Sequence, residues 1–307
     1  MKYFFLLFLV IGQSLFAQQK IDTSAILNIG STKQFVRIKG NDVSKPLLLF
    51  LHGGPGGSLM KGFERISGKL QQYFVVVHWD QRETGETLRL NKSTQPLTLE
   101  LFYNDTHDLI DSLLRIYKQP KLYLVGYSWG SGLGFYIADK YPELLYAYIP
   151  VSPVIDQWRS DQISLDMLKE KMGTKASKEL AKVKIPFENA EELYYHRKWL
   201  FKNGGKKFVS LTFVENWAST WFNVWSRACD VNLFKTLPVI KCPVYFFAGG
   251  QDYNTNHTIT RQYFDFVSAP IKDFFLFPNA GHELPETHSN GFQETFINKI
   301  LVRAAEH

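Results

Sequence analysis

The sequence predicts an α/β chain, a mostly parallel sheet flanked by helices with a helical cap inserted late. Three observations carry this. Continuous apolar runs, Leu47–Leu51 and residues 122–125, 244–248 and 274–277, read as strands buried on both faces, as parallel strands are. One of them runs into Gly126-Tyr127-Ser128-Trp129-Gly130 and then into a helical stretch over 131–141. The alternation of strand and helix then stops between 153 and 233, where helical spacing takes over.

Taken from the start, Met1-Lys2 precedes an apolar run over 3–12 and then Gln13-Ser14-Leu15-Phe16-Ala17-Gln18. A short positive region, a brief apolar core and a small residue before a polar stretch describe a secretory signal peptide over 1–17, cleaved after Ala17. The competing reading is an uncleaved anchor. The run is too short for a spanning helix, which needs about 20 residues. No Cys follows the run, which disfavours a lipid-anchored precursor. The expectation is an exported protein, periplasmic or extracellular, with no stable membrane span after processing.

Of the 307 residues, removal of this segment leaves enough for one large core and an insertion. The net charge of +6 includes Lys2, so the processed chain carries +5. Its basic residues are scattered, as in Lys169-Glu170-Lys171, and give no footprint for nucleic acid. Two cysteines, Cys229 and Cys242, are too few for a disulfide scaffold. They read as free or buried thiols, with a pair as the alternative. No His-Glu-x-x-His or Cys/His cluster occurs, so neither a metal nor a cofactor is expected.

Leu47–Leu51 ends in His52-Gly53-Gly54-Pro55-Gly56-Gly57. Such a run lets backbone approach a substrate and aim N–H groups at a developing anion. A phosphate cradle would end in Gly-Lys-Ser/Thr, whereas Gly57-Ser58-Leu59 follows here. Gly54 is the candidate first oxyanion donor.

The Gly-x-Ser-x-Gly stretch lies between strand and helix, the setting of a nucleophile elbow. The tight turn exposes the Ser128 hydroxyl above the sheet, and the N–H of Trp129 supplies the second oxyanion donor. Such donors contribute about 3 kcal/mol each to transition-state stabilisation. A chance Gly-x-Ser-x-Gly in a turn is the competing reading. After residues 244–248 comes Gly249-Gly250-Gln251-Asp252, and after 274–277 comes Pro278-Asn279-Ala280-Gly281-His282. Ser128, Asp252 and His282 thus occupy carboxyl ends of strands, where open parallel sheets build their sites, in the order Ser, Asp, His. His282 is the candidate base and Asp252 its orienting carboxylate. Their competing readings are a surface His and a turn-forming Asp. Three further histidines compete for the role of base. His107 falls on the helical pattern Leu99–Tyr117, His257 has no strand before it, and His288 lies farther from the last strand.

His52-Gly53-Gly54-Pro55-Gly56, Trp79-Asp80-Gln81-Arg82 and Ser128-Trp129-Gly130-Ser131 together resemble the proline iminopeptidase-like branch of the α/β-hydrolases. The resemblance runs from about Lys33 to the C-terminal helix and is weak over 153–233. It implies a core formed by 18–152 and 234–307, a helical cap over 153–233, Ser128, Asp252 and His282 as the triad, and the amides of Gly54 and Trp129 as the oxyanion hole. One position departs from the family pattern: Glu83 stands where Asp-Gln-Arg is usually followed by Gly.

Within 153–233, helices broken by Gly173, Pro186 and Gly204-Gly205 carry five of the seven tryptophans. Trp217 and Trp221 are four apart and share a helix face, which reads either as packing or as a pocket wall. An aminopeptidase must neutralise the substrate ammonium, and aminopeptidases of the resembled family use cap acids for this. Glu215, beside the Trp stripe, and Glu83 are the candidates, against solvated helix charges. Three functions remain: an aminopeptidase of short peptides working through an acyl-enzyme, an esterase for small acyl groups with the same triad, and a silent binding protein on the same scaffold. The complete residue set argues against the third. Oligomeric state is not legible.

Overall fold

In the computed structural model of the protein, residues 19–301 are described. The expected signal segment and its cleavage point at Ala17 lie outside them.

Eight strands form one sheet: β1 Ile21–Ile29, β2 Thr32–Gly40, β3 Leu47–Leu51, β4 Val75–Asp80, β5 Leu122–Tyr127, β6 Leu145–Val151, β7 Val244–Gly249 and β8 Lys272–Phe277. Their order is β1-β2-β4-β3-β5-β6-β7-β8. β1 pairs antiparallel with β2 and β2 antiparallel with β4, and every pairing from β4 through β8 is parallel. Alternation explains how one run of leucines builds two cores. Leu47, Leu49 and Leu51 face one buried cluster, Leu48 and Phe50 the other. Five consecutive apolar residues are what a strand covered on both faces requires.

The helices are α1 Phe63–Ser67, α2 Gly85–Leu90, α3 Leu99–Tyr117, α4 Trp129–Lys140, α5 Gln157–Lys171, α6 Thr174–Leu180, α7 Ala190–Asn203, α8 Leu211–Cys229, α9 Leu233–Thr236, α10 His257–Phe266, α11 Leu284–Thr287 and α12 Ser289–Thr295. None of them is long and apolar enough to cross a membrane. Helices α5 to α8 stand between β6 and β7 and own a separate apolar cluster, including Leu168, Leu180, Trp199 and Val214. Their boundaries follow local chemistry. Asp156, Asn189 and Ser210 cap α5, α7 and α8 by accepting from the amides of Arg159, Glu192 and Phe213. Gly173 and Gly204 lie at the breaks.

The two ends of this insertion meet. Asp156 and Asn232 form an antiparallel bridge, Asn232 Nδ2 donates to Asp156 Oδ2 at 2.8 Å, and Leu233 N donates to Ile155 O at 3.0 Å. Cys229 and Cys242 are both buried and unpaired. Burial pushes the Cys242 thiol up to about 12 and the Cys229 thiol well above its usual value.

Candidate active site

β5 ends at Tyr127 and α4 begins at Trp129, leaving Ser128 alone in the turn. Ser128 adopts φ 52°, ψ −119°, a conformation that L-residues disfavour. Such strain costs about 1–3 kcal/mol and persists only where neighbours over-determine it. The neighbours are close. A Cβ at Gly130 would lie 2.4 Å from Leu51 O, so the turn cannot accept a side chain there.

The structure brings the three spaced residues together. His282 Nε2 lies 2.9 Å from Ser128 Oγ, and His282 Nδ1 lies 2.8 Å from Asp252 Oδ2. Asp252 is buried and also accepts from the amides of Asn254 and Thr255 at 2.9 and 3.0 Å. Burial pushes its carboxyl up, but the His282 ring beside it and the hydrogen bonds from His282 and Thr255 more than offset this. The result is a pKa below the usual 3.8. Tyr127 Oη and Ser152 Oγ both donate to the His282 carbonyl, at 3.2 and 3.1 Å, which fixes the loop carrying the imidazole. The other histidines are elsewhere. His107 packs on Tyr141, His257 begins α10, and His288 bonds its neighbour Thr287.

Gly54 takes φ +119°, and a Cβ there would lie 2.7 Å from the amides of Gly56 and Gly57. Only glycine fits this turn. Trp129 is the first residue of α4, so its N–H has no partner within the helix. Between these two elements sits a bracket the motif reading quoted but gave no role. Gln81 Nε2 donates to His52 O at 3.2 Å, Trp129 Nε1 donates to Gln81 Oε1 at 3.0 Å, and Gln81 N donates to His52 Nε2 at 3.2 Å. His52 Nδ1 in turn donates to Gly53 O at 2.8 Å. Burial lowers the His52 pKa to about 4, so the ring is neutral and can accept from Gln81. The ends of β3, β4 and β5 are thereby tied to one another. A Gln at a strand end, between buried carbonyls, was the available signal.

A cavity of about 660 Å³ opens from Ser128, His282, Gly54 and Trp129 beneath the inserted helices. Its walls are mainly apolar, with Leu193, Phe208, Val214, Trp217 and Trp225 from the insertion. The polar end carries Gln157, Arg197 and Asn254. Gln157 Nε2 donates to Asp161 Oδ1 at 3.1 Å and to Asn254 O at 2.8 Å, and Arg197 Nη1 donates to Asp161 Oδ1 at 2.6 Å. Asp161 Oδ2 and Asn254 Oδ1 are buried without a hydrogen-bond partner among the described residues.

The expected substrate residues divide. Trp217 lines the cavity, and its Nε1 donates to Pro55 O at 3.0 Å. Trp221, one turn on, is buried packing instead. It lies against Phe102 of α3 with ring centroids 5.9 Å apart, and a Cβ at Gly56 would meet it at 2.9 Å. Glu215 is exposed on α8 and is not part of the cavity lining. Two residues along a helix turn the side chain by about 200°, so nearness to Trp217 in sequence puts Glu215 on the opposite face. Glu83 is also outside the cavity. It takes φ +55°, the left-handed conformation a glycine would hold at no cost, and its carboxylate accepts from Ser93 N.

The alpha/beta hydrolase fold family matches residues 46–289. A probable aminopeptidase of Bacillus subtilis is 31% identical over 283 residues, covering 83% of this chain and 89% of that protein. A putative proline iminopeptidase of Mycoplasma genitalium is 25% identical over 252 residues, 73% of each chain. The solved proline iminopeptidase of Mycobacterium smegmatis superposes with a TM-score of 0.67 at 18% identity, over 92% of this chain and 98% of that one, a likeness of fold. With the elbow, the strand order and these matches in agreement, the chain belongs to the α/β-hydrolases and to their proline iminopeptidase-like branch.

Proposed function

We propose that this hydrolase is a serine aminopeptidase of short peptides. The observation that carries this reading is the continuous relay from Ser128 Oγ through His282 to buried Asp252, opening on a covered cavity. In this reading Ser128 attacks the scissile carbonyl, and His282 takes its proton and returns it to the departing amine. Asp252 holds the imidazole tautomer, and the amides of Gly54 and Trp129 receive the oxyanion. Water then releases the acyl group by the same route. A substrate ammonium loses hydration on entering an apolar cavity and needs acceptors there. Asn254 Oδ1 supports the reading as an unpartnered acceptor in the cavity lining, with the unpartnered Asp161 Oδ2 buried behind Arg197 and Gln157, in place of Glu215 and Glu83.

The decisive experiment combines labelling with a substrate panel. A fluorophosphonate should label the wild type and not Ser128→Ala, whose turnover should fall roughly 10⁴–10⁶-fold. Equal labelling of both would remove Ser128 as nucleophile. Alanyl and prolyl arylamides should be cleaved in preference to small acyl esters. The mainly apolar wall favours an ester hydrolase as the second reading, and exclusive ester cleavage would put it first. Export is part of the proposal and rests on the sequence of residues 1–17. N-terminal sequencing of the protein outside the cytoplasm should begin near Gln18, and a start at Met1 would refute processing.

A further inference from the structure

The cavity lining holds a charge that the relay and the polar end do not use. Among the charged cavity-lining side chains, Asp139 pairs with Lys140 at 2.9 Å and Arg197 with Asp161 at 2.6 Å. Lys207 lines the cavity and has no ion-pair partner among the described residues. It lies on the segment joining α7 to α8, just past Gly204-Gly205, where Gly205 takes φ +70°. The preceding residue ties this segment down. Lys206 Nζ lies 2.6 Å from Glu283 Oε2, and Glu283 directly follows His282. The segment that carries Lys207 is therefore tied to the loop that carries the imidazole.

That tie has a chemical meaning. In amide hydrolysis the C–N bond breaks as the imidazolium gives its proton to the departing nitrogen, so the leaving fragment lies next to His282. When the substrate is a dipeptide or tripeptide, this fragment carries the C-terminal carboxylate within one or two residues of the scissile bond. We infer that Lys207 receives that carboxylate and makes the site selective for short peptides with a free C-terminus. This rests on the aminopeptidase reading above. The carboxylate takes no part in bond breaking, and its pairing lowers the free energy of the bound substrate. Because Lys207 is exposed, the pair is screened by salt and its contribution is modest.

The test compares an alanyl or prolyl dipeptide with its C-terminal amide on the purified processed protein. The free acid should be preferred by about three- to tenfold in kcat/KM at low salt, the scale of an exposed pair. The difference should lie mainly in KM and shrink as salt rises. Lys207→Met should bring the ratio to about one and Lys207→Glu should invert it. Equal cleavage of acid and amide by the wild type overturns the assignment, as does a preference that survives Lys207→Met. Cleavage of esters alone, with neither peptide turned over, overturns the aminopeptidase reading itself and this assignment with it.

Discussion

Two buried Arg–Asp pairs, one in the core and one in the insertion, are built differently. In the core, Asp105 of α3 accepts from Arg82 Nε at 2.5 Å and from Gln34 Nε2 at 2.8 Å on one oxygen, and from Arg82 Nη2 at 3.0 Å on the other. In the insertion, Asp161 of α5 accepts from Arg197 and Gln157 on one oxygen, and its other oxygen has no partner. Burial pushes both carboxyls above their usual range, against the pull of the paired guanidinium. Satisfied on both oxygens, the first pair locks the β2 and β4 ends of the sheet to α3. The second leaves an acceptor unspent behind a cavity wall.

The sharpest way to break this contrast is to change each carboxylate. Asp105→Ala leaves Arg82 charged, buried and unpaired, and should cost about 3–5 kcal/mol in urea unfolding. Asp161→Asn keeps the bonded oxygen but leaves the Arg197 charge buried and unpaired, so it too should cost about 3–5 kcal/mol. It should in addition lower the arylamide-to-ester ratio, which Asp105→Ala should not. If Asp161→Asn leaves that ratio alone, the open acceptor has no role in substrate choice.

A second comparison stays within α8. Trp221→Phe trims a fully packed ring and should lose roughly 1–2 kcal/mol of stability with little change in KM. Trp217→Phe removes the hydrogen bond to Pro55 O, worth about 1 kcal/mol, and should appear chiefly as a raised KM. The reverse pattern would exchange their assignments.

The smallest effect concerns acid. Asp252 is held below its unfolded value of 3.8, so it contributes stability above that pH and loses it as pH falls through the folded value. The stability advantage of wild type over Asp252→Asn should therefore fade below about pH 4. An advantage that grows with acid would reverse the direction of the shift.

The core was legible because burial on both faces leaves a mark in one dimension. Leu47–Leu51 and Val244–Gly249 need no partner to be recognised as strands, and Ser128, Asp252 and His282 are placed by strand ends alone. The insertion leaves a weaker mark. Helical spacing located α7 and the helix of the Trp stripe, but which face meets the cavity depends on how the helices dock. Trp221 and Glu215 were misplaced for that reason. Gln81, Thr255 and Asn254 went unassigned because their roles come from atoms brought together across the chain. Gln81 bridges strands whose motifs lie 29 and 48 residues away.

The bridge between Asp156 and Asn232 makes the insertion a cassette. The chain leaves and rejoins the core at almost the same point, although 76 residues separate the bonded side chains. The sheet therefore spans no distance on the insertion's account. Exchanging the segment for a longer or shorter one alters closure entropy only logarithmically, about 0.6 kcal/mol per doubling of length. Grafts made between these two residues should keep the nucleophile turn and its bracket while replacing the walls of the cavity, so a single scaffold can be refitted for new leaving groups at its roof.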